Sequence, residues 1–285
     1  MKRLFTILSI VVLLPTALYA QAIKADAPTR QGYDDVYALY GDVESITVRH
    51  YRLEDKFGKI IKGKMYKSYK YVFNLRGDVT NYTSYNSDGG LKGKILYKYD
   101  SEGNLIEKAW YNSDGTLNSK LRHKYNSARN IIETLLFDSN GYLSNKEQYE
   151  YKYDTNGNIV SKISYNTDGS VSSKHIYKYN SAGKMIEDIA YNSNGTQISK
   201  TILKYNSKGN IIEYNYHGDI TEKSTYIYNS QDNMIEINEY NSDGNIDSKI
   251  LLEYDSKGNN IEWKEFKREI NKPYRLTEYE IVYRD

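Results

Sequence analysis

An aromatic residue, then Asn or Asp, then usually glycine three residues on, recurs at Phe73, Tyr85, Tyr99, Tyr111, Tyr125, Phe137, Tyr153, Tyr165, Tyr179, Tyr191, Tyr205, Tyr228, Tyr240 and Tyr254, and Tyr216, followed by His217, holds the remaining place in the series. Most spacings alternate between 12 and 14, so two units sum to a period of 26 residues. A fixed period of this length is the signature of a repeat architecture. The first unit reads as Tyr99-Asp-Ser-Glu-Gly103-Asn-Leu-Ile-Glu107 and returns at Tyr153 and Tyr205; the second reads as Tyr111-Asn-Ser-Asp-Gly115-Thr-Leu and returns at Tyr165, Tyr191 and Tyr240. Asn or Asp opening a turn and glycine closing it at positive φ is hairpin chemistry. The 8- and 10-residue segments between turns are too short for helices, and each tight connection forces its strands antiparallel.

The expected fold is therefore all-β: tandem antiparallel β-hairpins in a meander of 26-residue double repeats, forming a coiled or barrel-like extended sheet. Alternating strand lengths build a steady stagger that favours coiling over flatness. Taking Asn112 to Gly115 as the loop and counting outward places Glu107 opposite Lys120. The same count pairs Glu133 with Lys146, Glu187 with Lys200 and Glu236 with Lys249. Opposite charges across a strand pair mark register, and a bulge at the glycine would make them diagonal. The doublets Leu105-Ile106, Ile159-Val160, Met185-Ile186 and Ile211-Ile212 place one apolar residue on each sheet face.

The ends depart from the repeat. Residues 1–20 read as a secretory signal peptide: Met1-Lys2-Arg3, an apolar run from Leu4 to about Leu14, and a small residue at Ala20. Residues 21–42 form a loosely structured leader, and 43–285 a single repeat domain. That domain opens with a hairpin, Val43–Leu53 and Lys59–Phe73, and is capped by a strand from Arg275 to Tyr283, as repeat arrays require. Removing Lys2 and Arg3 lowers the basic count from 39 to 37, equal to the 37 acids. That balance argues against a nucleic-acid partner, and no second apolar run predicts a membrane span after signal removal. With no cysteine, an exported chain depends on packing and strand pairing alone. The address is exported: periplasmic, cell-surface or secreted.

The runs Tyr97-Lys98-Tyr99-Asp100-Ser-Glu-Gly103-Asn104-Leu105 and Tyr151-Lys152-Tyr153-Asp154-Thr-Asn-Gly157-Asn158-Ile159 resemble the Tyr-Asp repeats of Rhs-type and teneurin-type surface proteins, and the chain is similar to small exported bacterial YD-like repeat proteins. The resemblance covers roughly residues 59 to 266 and implies a strand-rich spiral shell, often credited with carbohydrate binding. Most copies here carry Tyr-Asn rather than Tyr-Asp.

Catalytic chemistry finds little footing. The four histidines, His50, His123, His175 and His217, fall at different places in the unit, and no zinc-protease helix motif, nucleophile elbow or phosphate loop occurs. No catalytic, cofactor-binding or metal-binding residue is expected. Asn241-Ser-Asp243-Gly-Asn245-Ile-Asp247 has calcium-like oxygen spacing but lacks the terminal bidentate glutamate, and reads as a turn. Tyr111, Tyr165, Tyr191 and Tyr240 recur at one place in the second unit, where they either pack beside each other or present faces for stacking on sugar rings. The functional expectation is a noncatalytic binding or interaction module of the bacterial cell envelope, with carbohydrate binding as one form of that role, whose partner is a polysaccharide or an envelope protein. The alternative is a structural or immunity-like repeat protein acting through a protein partner.

Overall fold

The computed structural model describes residues 39–267 and 271–284. The signal peptide and most of the leader expected from the sequence lie outside the described residues. The strands are β1 (Val43–Lys56), β2 (Lys59–Phe73), β3 (Val79–Tyr85), β4 (Leu91–Tyr99), β5 (Leu105–Asn112), β6 (Leu117–Tyr125), β7 (Ile131–Phe137), β8 (Leu143–Tyr153) and β9 (Ile159–Tyr165). They continue with β10 (Val171–Tyr179), β11 (Met185–Asn192), β12 (Gln197–Tyr205), β13 (Ile211–His217), β14 (Thr221–Tyr228), β15 (Met234–Tyr240), β16 (Ile246–Tyr254), β17 (Asn260–Lys267) and β18 (Pro273–Tyr283).

Each strand pairs antiparallel with its neighbours in sequence, and β1 pairs with both β2 and β18. The meander therefore closes into an 18-stranded barrel, so the barrel-like course read from the repeat is the one adopted. Closure leaves no open edge among these strands. Eighteen strands at ~4.8 Å spacing and a tilt near 40° correspond to a backbone diameter of roughly 35 Å for a round cross-section. Two packed sheet faces sit only ~10 Å apart, and in keeping with this width the inner face packs laterally, along the wall.

The alternation of the two units follows from the two rims. Turns at 74–78, 100–104, 126–130, 154–158, 180–184, 206–210, 229–233 and 255–259 lie on the first rim, beside Val43 and Tyr283; those at 86–90, 112–116, 138–142, 166–170, 192–196 and 241–245 lie on the second. In the first-rim turns the opening residue's side chain caps the loop. Asp100 Oδ1 accepts the amides of Glu102 and Asn104 at 3.0 and 2.8 Å, and Asn206 Oδ1 accepts those of Lys208 and Asn210 at 3.0 and 2.9 Å. Only an acceptor oxygen is required, which is why Tyr-Asn replaces Tyr-Asp freely. Gly103 and Gly115 adopt φ of 90° and 84°, the conformation a Cβ disfavours. The fifth turn residue separates the rims: Asn104, Asn210, Asn233 and Asn259 are buried on the first, whereas Thr116, Ser170 and Asn245 are exposed on the second.

Register corrects the simple hairpin count. Each of these second-rim loops, the shortened β13–β14 turn aside, is one residue longer than counted and is followed by a bulge, so that Tyr111 pairs with Leu117 and Trp110 with Ser119. Glu107 therefore faces Arg122, and Lys120 faces Ala109. Three of the four expected charge pairs still form as diagonals: Lys146–Glu133 at 3.2 Å, Lys200–Glu187 at 2.7 Å and Lys249–Glu236 at 2.7 Å. Directly opposite Glu107, Glu133 and Glu187 stands another cation, giving Lys98–Glu107, Lys124–Glu133 and Lys178–Glu187, and Lys204–Glu213 repeats the pair, all at 2.6–2.9 Å, while Glu236 faces Ile227. This ladder runs along the outer face.

The driest part of the inner wall is the closing seam. Ile46 and Val48 of β1 are fully buried with Val43, Val79, Tyr69, Tyr71 and Tyr279, and Leu39 packs against the same cluster. Beside it, Asn259 Nδ2 donates to the carbonyl of Tyr40 at 3.0 Å, and the Arg284 amide donates to that of Asp42 at 2.9 Å. Two further clusters, around Leu203 and Tyr214 and around Ile237 and Leu252, line the wall from β10 to β17.

Candidate functional site

Two surfaces gather chemistry-bearing side chains. The first contains the tyrosines singled out in the sequence. Tyr111, Tyr165, Tyr191 and Tyr240 sit on odd-numbered strands, on the outer face near the second rim, each half-buried. Tyr165 and Tyr191 stand two strands apart, roughly 10 Å, and the other neighbouring copies four strands apart, roughly 19 Å. They neither fill the barrel nor stand bare. Tyr165 donates to Glu150 at 2.8 Å, which raises its pKa, and Tyr240 lies 3.2 Å from the Thr225 hydroxyl with Lys223 5.1 Å from its ring centroid.

The structure extends this row into a belt. Tyr85, Phe137, His217 and Phe266 occupy the same position on β3, β7, β13 and β17. Directly across from the aromatic ring, seventeen residues earlier in the chain, stands Lys94, Lys120, Lys174, Lys200, Lys223 or Lys249, with Gln148 and Ser68 at the two remaining places. The sequence carried this signal at an offset of seventeen. It escapes a count made within one hairpin because the pairing spans the turn at the opposite rim. Lys94 and Lys174 make no ion pair among the described residues, whereas Lys200 and Lys249 are bound to Glu187 and Glu236.

The second surface is a cavity of about 760 Å³ in the inner wall, spanning β6 to β11. His123 and His175, which the sequence left unpaired, both line it. His175 Nδ1 lies 2.9 Å from Asp188 Oδ1 and the imidazole stacks on Tyr177 at 6.0 Å; His123 Nδ1 lies 3.0 Å from Thr134 Oγ1. Burial, with Lys108 nearby, pulls the His123 pKa down. Tyr149 donates to Glu147 at 2.6 Å; burial and that bond push its pKa up to about 12. Lys162 stands between Tyr151 and His175 in the register, its ammonium 4.5 Å from the Tyr149 ring centroid. Burial lowers its pKa against the pull of Glu147 and Asp188.

Elsewhere on the inner wall, Glu222 has its carboxyl pKa raised by burial and by the charge of Glu239. His50 is wedged at the seam between Thr277 and Tyr69, and His217 lies on the outer belt. Among the described residues no group of three or more His, Cys, Asp or Glu side chains could hold a metal ion. At the calcium-like stretch, Asn241 Oδ1 accepts the amides of Asp243 and Asn245 at 3.1 and 3.0 Å, an ordinary side-chain-capped turn.

No protein-family model matches the chain, and a search of curated proteins gives no match either. Among solved structures the chain is similar to a porin-like protein from Bacteroides uniformis, with 10% identity and a TM-score of 0.44, covering 84% of this chain and 96% of that one. It is also similar to part of the TcdB2-TccC3-Cdc42 structure, with 13% identity and a TM-score of 0.37, covering 81% of this chain and 14% of that one. A DUF1329 family protein from Desulfovibrio piger aligns at 7% identity with a TM-score of 0.21, covering 85% of this chain and 86% of that one. What stands on the chain's own structure is a β-repeat protein closed into a barrel.

Proposed function

We propose that this chain is a noncatalytic exported binding protein of the bacterial cell envelope, a YD-like repeat barrel whose outer belt holds an extended polysaccharide. The observation that carries the reading is the repeated Lys–aromatic pair: Lys94 with Tyr111, Lys174 with Tyr191 and Lys223 with Tyr240. An aromatic face matches the C–H face of a sugar ring, and a cation beside it suits a carboxylated or sulfated substituent. A ligand that repeats along its length is the natural match for a surface that repeats around a barrel.

The outer face favours water over lipid. Its ion-pair ladder leaves a single apolar tier, including Leu96, Ile176, Ile189 and Ile202, between charged rows; one tier is roughly 7 Å of strand. A lipid-facing barrel needs an apolar band ~25 Å tall. Lysines also occupy the carboxylates of this face. Glu133 is held below its usual range chiefly by a hydrogen bond from Lys124, and Glu187 by bonds from Lys178 and Lys200.

The test is a polysaccharide array on the purified protein alongside Tyr165→Ala and Tyr191→Ala. Saturable binding to a glycan, weakened at least about tenfold in either variant, is the expected result. Folded protein that retains no glycan would remove this reading and leave a protein partner, to be sought by pull-down from the envelope.

A further inference from the structure

We infer that the inner-wall cavity over β6 to β11 is a second binding site, separate from the outer belt, for a small zwitterion with an apolar or aromatic body, of the amino-acid class. Three observations converge. At about 760 Å³ the cavity lies within the range of small-ligand sites. Its walls are largely ring and aliphatic side chains, among them Leu121, Leu136, Tyr149, Tyr177 and Met185. An apolar body is covered by such walls.

The charged groups are of both signs: Arg129, which is held by Glu102, and Lys162, Glu147 and Asp188. The Lys162 ammonium makes no hydrogen bond or ion pair among the described residues, although three donors on a lysine in so enclosed a place call for acceptors. Glu147 and Asp188 do not bind it; they hold Tyr149 and His175 instead. Each carboxylate keeps lone pairs beyond these bonds and the longer one, 3.4 Å, that Asn145 donates to Glu147. A ligand carboxylate at Lys162 and a ligand ammonium at Glu147 or Asp188 would satisfy all three groups together. A simple anion would leave two carboxylates facing it, and a simple cation would meet the lysine.

The experiment is titration calorimetry with L-phenylalanine against its two halves, 3-phenylpropionate, which lacks the ammonium, and phenethylamine, which lacks the carboxylate. The expected result is saturable binding of L-phenylalanine, with each half weaker by at least about tenfold, the scale of one charge-assisted hydrogen bond. Lys162→Met and Glu147→Gln should each weaken L-phenylalanine similarly, while Tyr191→Ala on the outer belt leaves it unchanged. Should Lys162→Met fail to fold, Glu147→Gln and the comparison of ligand halves still decide the matter. No saturable binding of L-phenylalanine, or equal binding of one half, overturns the proposal without touching the belt.

Discussion

The hydroxyl of Tyr151 donates a 2.7 Å hydrogen bond to the carbonyl of Ile131, twenty residues upstream on the neighbouring course of the wall. The same latch joins Tyr99 to Val79, Tyr125 to Leu105, Tyr179 to Ile159, Tyr205 to Met185 and Tyr254 to Met234 at 2.5–2.7 Å. Tyr228 reaches Ile211 over seventeen residues, because the β13–β14 turn is shortened. Each latched carbonyl belongs to the first residue of a strand, next to the place where the ladder shifts register. The repeat tyrosine is thus a staple across the first rim.

Tyr151 and Tyr153 separate a staple from an ornament. Tyr153 carries the repeat motif in the sequence, but its hydroxyl meets only turn side chains, accepting from Asn130 at 2.8 Å and from Asn126 at 3.4 Å. Tyr151→Phe removes a bond from a part-buried carbonyl and should cost about 1–2 kcal/mol. Tyr153→Phe should cost less than about 0.5 kcal/mol. Urea melts of the two variants give both numbers.

That pair also shows what the sequence discloses. Period, turn chemistry, antiparallel pairing and a coiled or barrel-like course were readable, because each is written in residues near one another along the chain; closure of β18 onto β1 joins the two ends of the chain and was not. Register was not, since the bulge that moves Glu107 from Lys120 to Arg122 leaves no mark in the loop's own residues. β8 is two residues longer than the corresponding strand β6, which is why its latch falls on Tyr151 instead of the motif tyrosine. The lysines of the belt were visible in composition but not as partners of Tyr111 and Tyr191. The cavity escaped altogether: His123, Glu147, Lys162, His175 and Asp188 come from five strands, and only the curvature of the wall brings them together.

Mild acid should loosen the seam before it loosens the outer ladder. His50 faces Thr277 and Tyr69 with Lys67 and Arg275 close by, and burial first, then those two cations, pull its pKa from 6.5 to about 4. The unfolded chain takes up this proton at the higher pH. The contribution is therefore complete above pH 6.5 and is lost as the pH falls toward about 4, amounting to at most about 3 kcal/mol. His50→Gln should flatten the melting temperature over that window. The outer carboxylates such as Glu133, with pKa values lowered below 4.5, account for the further loss at lower pH.

Alkali should act on the latches. Burial raises the pKa of Tyr151 and Tyr205 from 10.0 to about 12 and shifts Tyr125 in the same direction. Stability held by a raised tyrosine is intact below pH 10.0 and declines as the pH rises toward the folded value. Tyrosinate absorbance should therefore show one group of residues ionising near the ordinary value and a second group only as the fold is lost. A single titration at the ordinary value would show the hydroxyls to be free.

Closure of β18 onto β1 is the relationship on which the belt, the cavity and the rims all depend. The chain contains no cysteine, so a pair introduced at Thr47 and Glu280, directly opposite across the seam, reports on it without background. In the Thr47→Cys/Glu280→Cys variant, mild oxidation of dilute protein should give a monomeric disulfide in high yield with the melting temperature preserved or raised. Free thiols that persist in the folded monomer, or a bond formed only between molecules, would contradict the closed barrel.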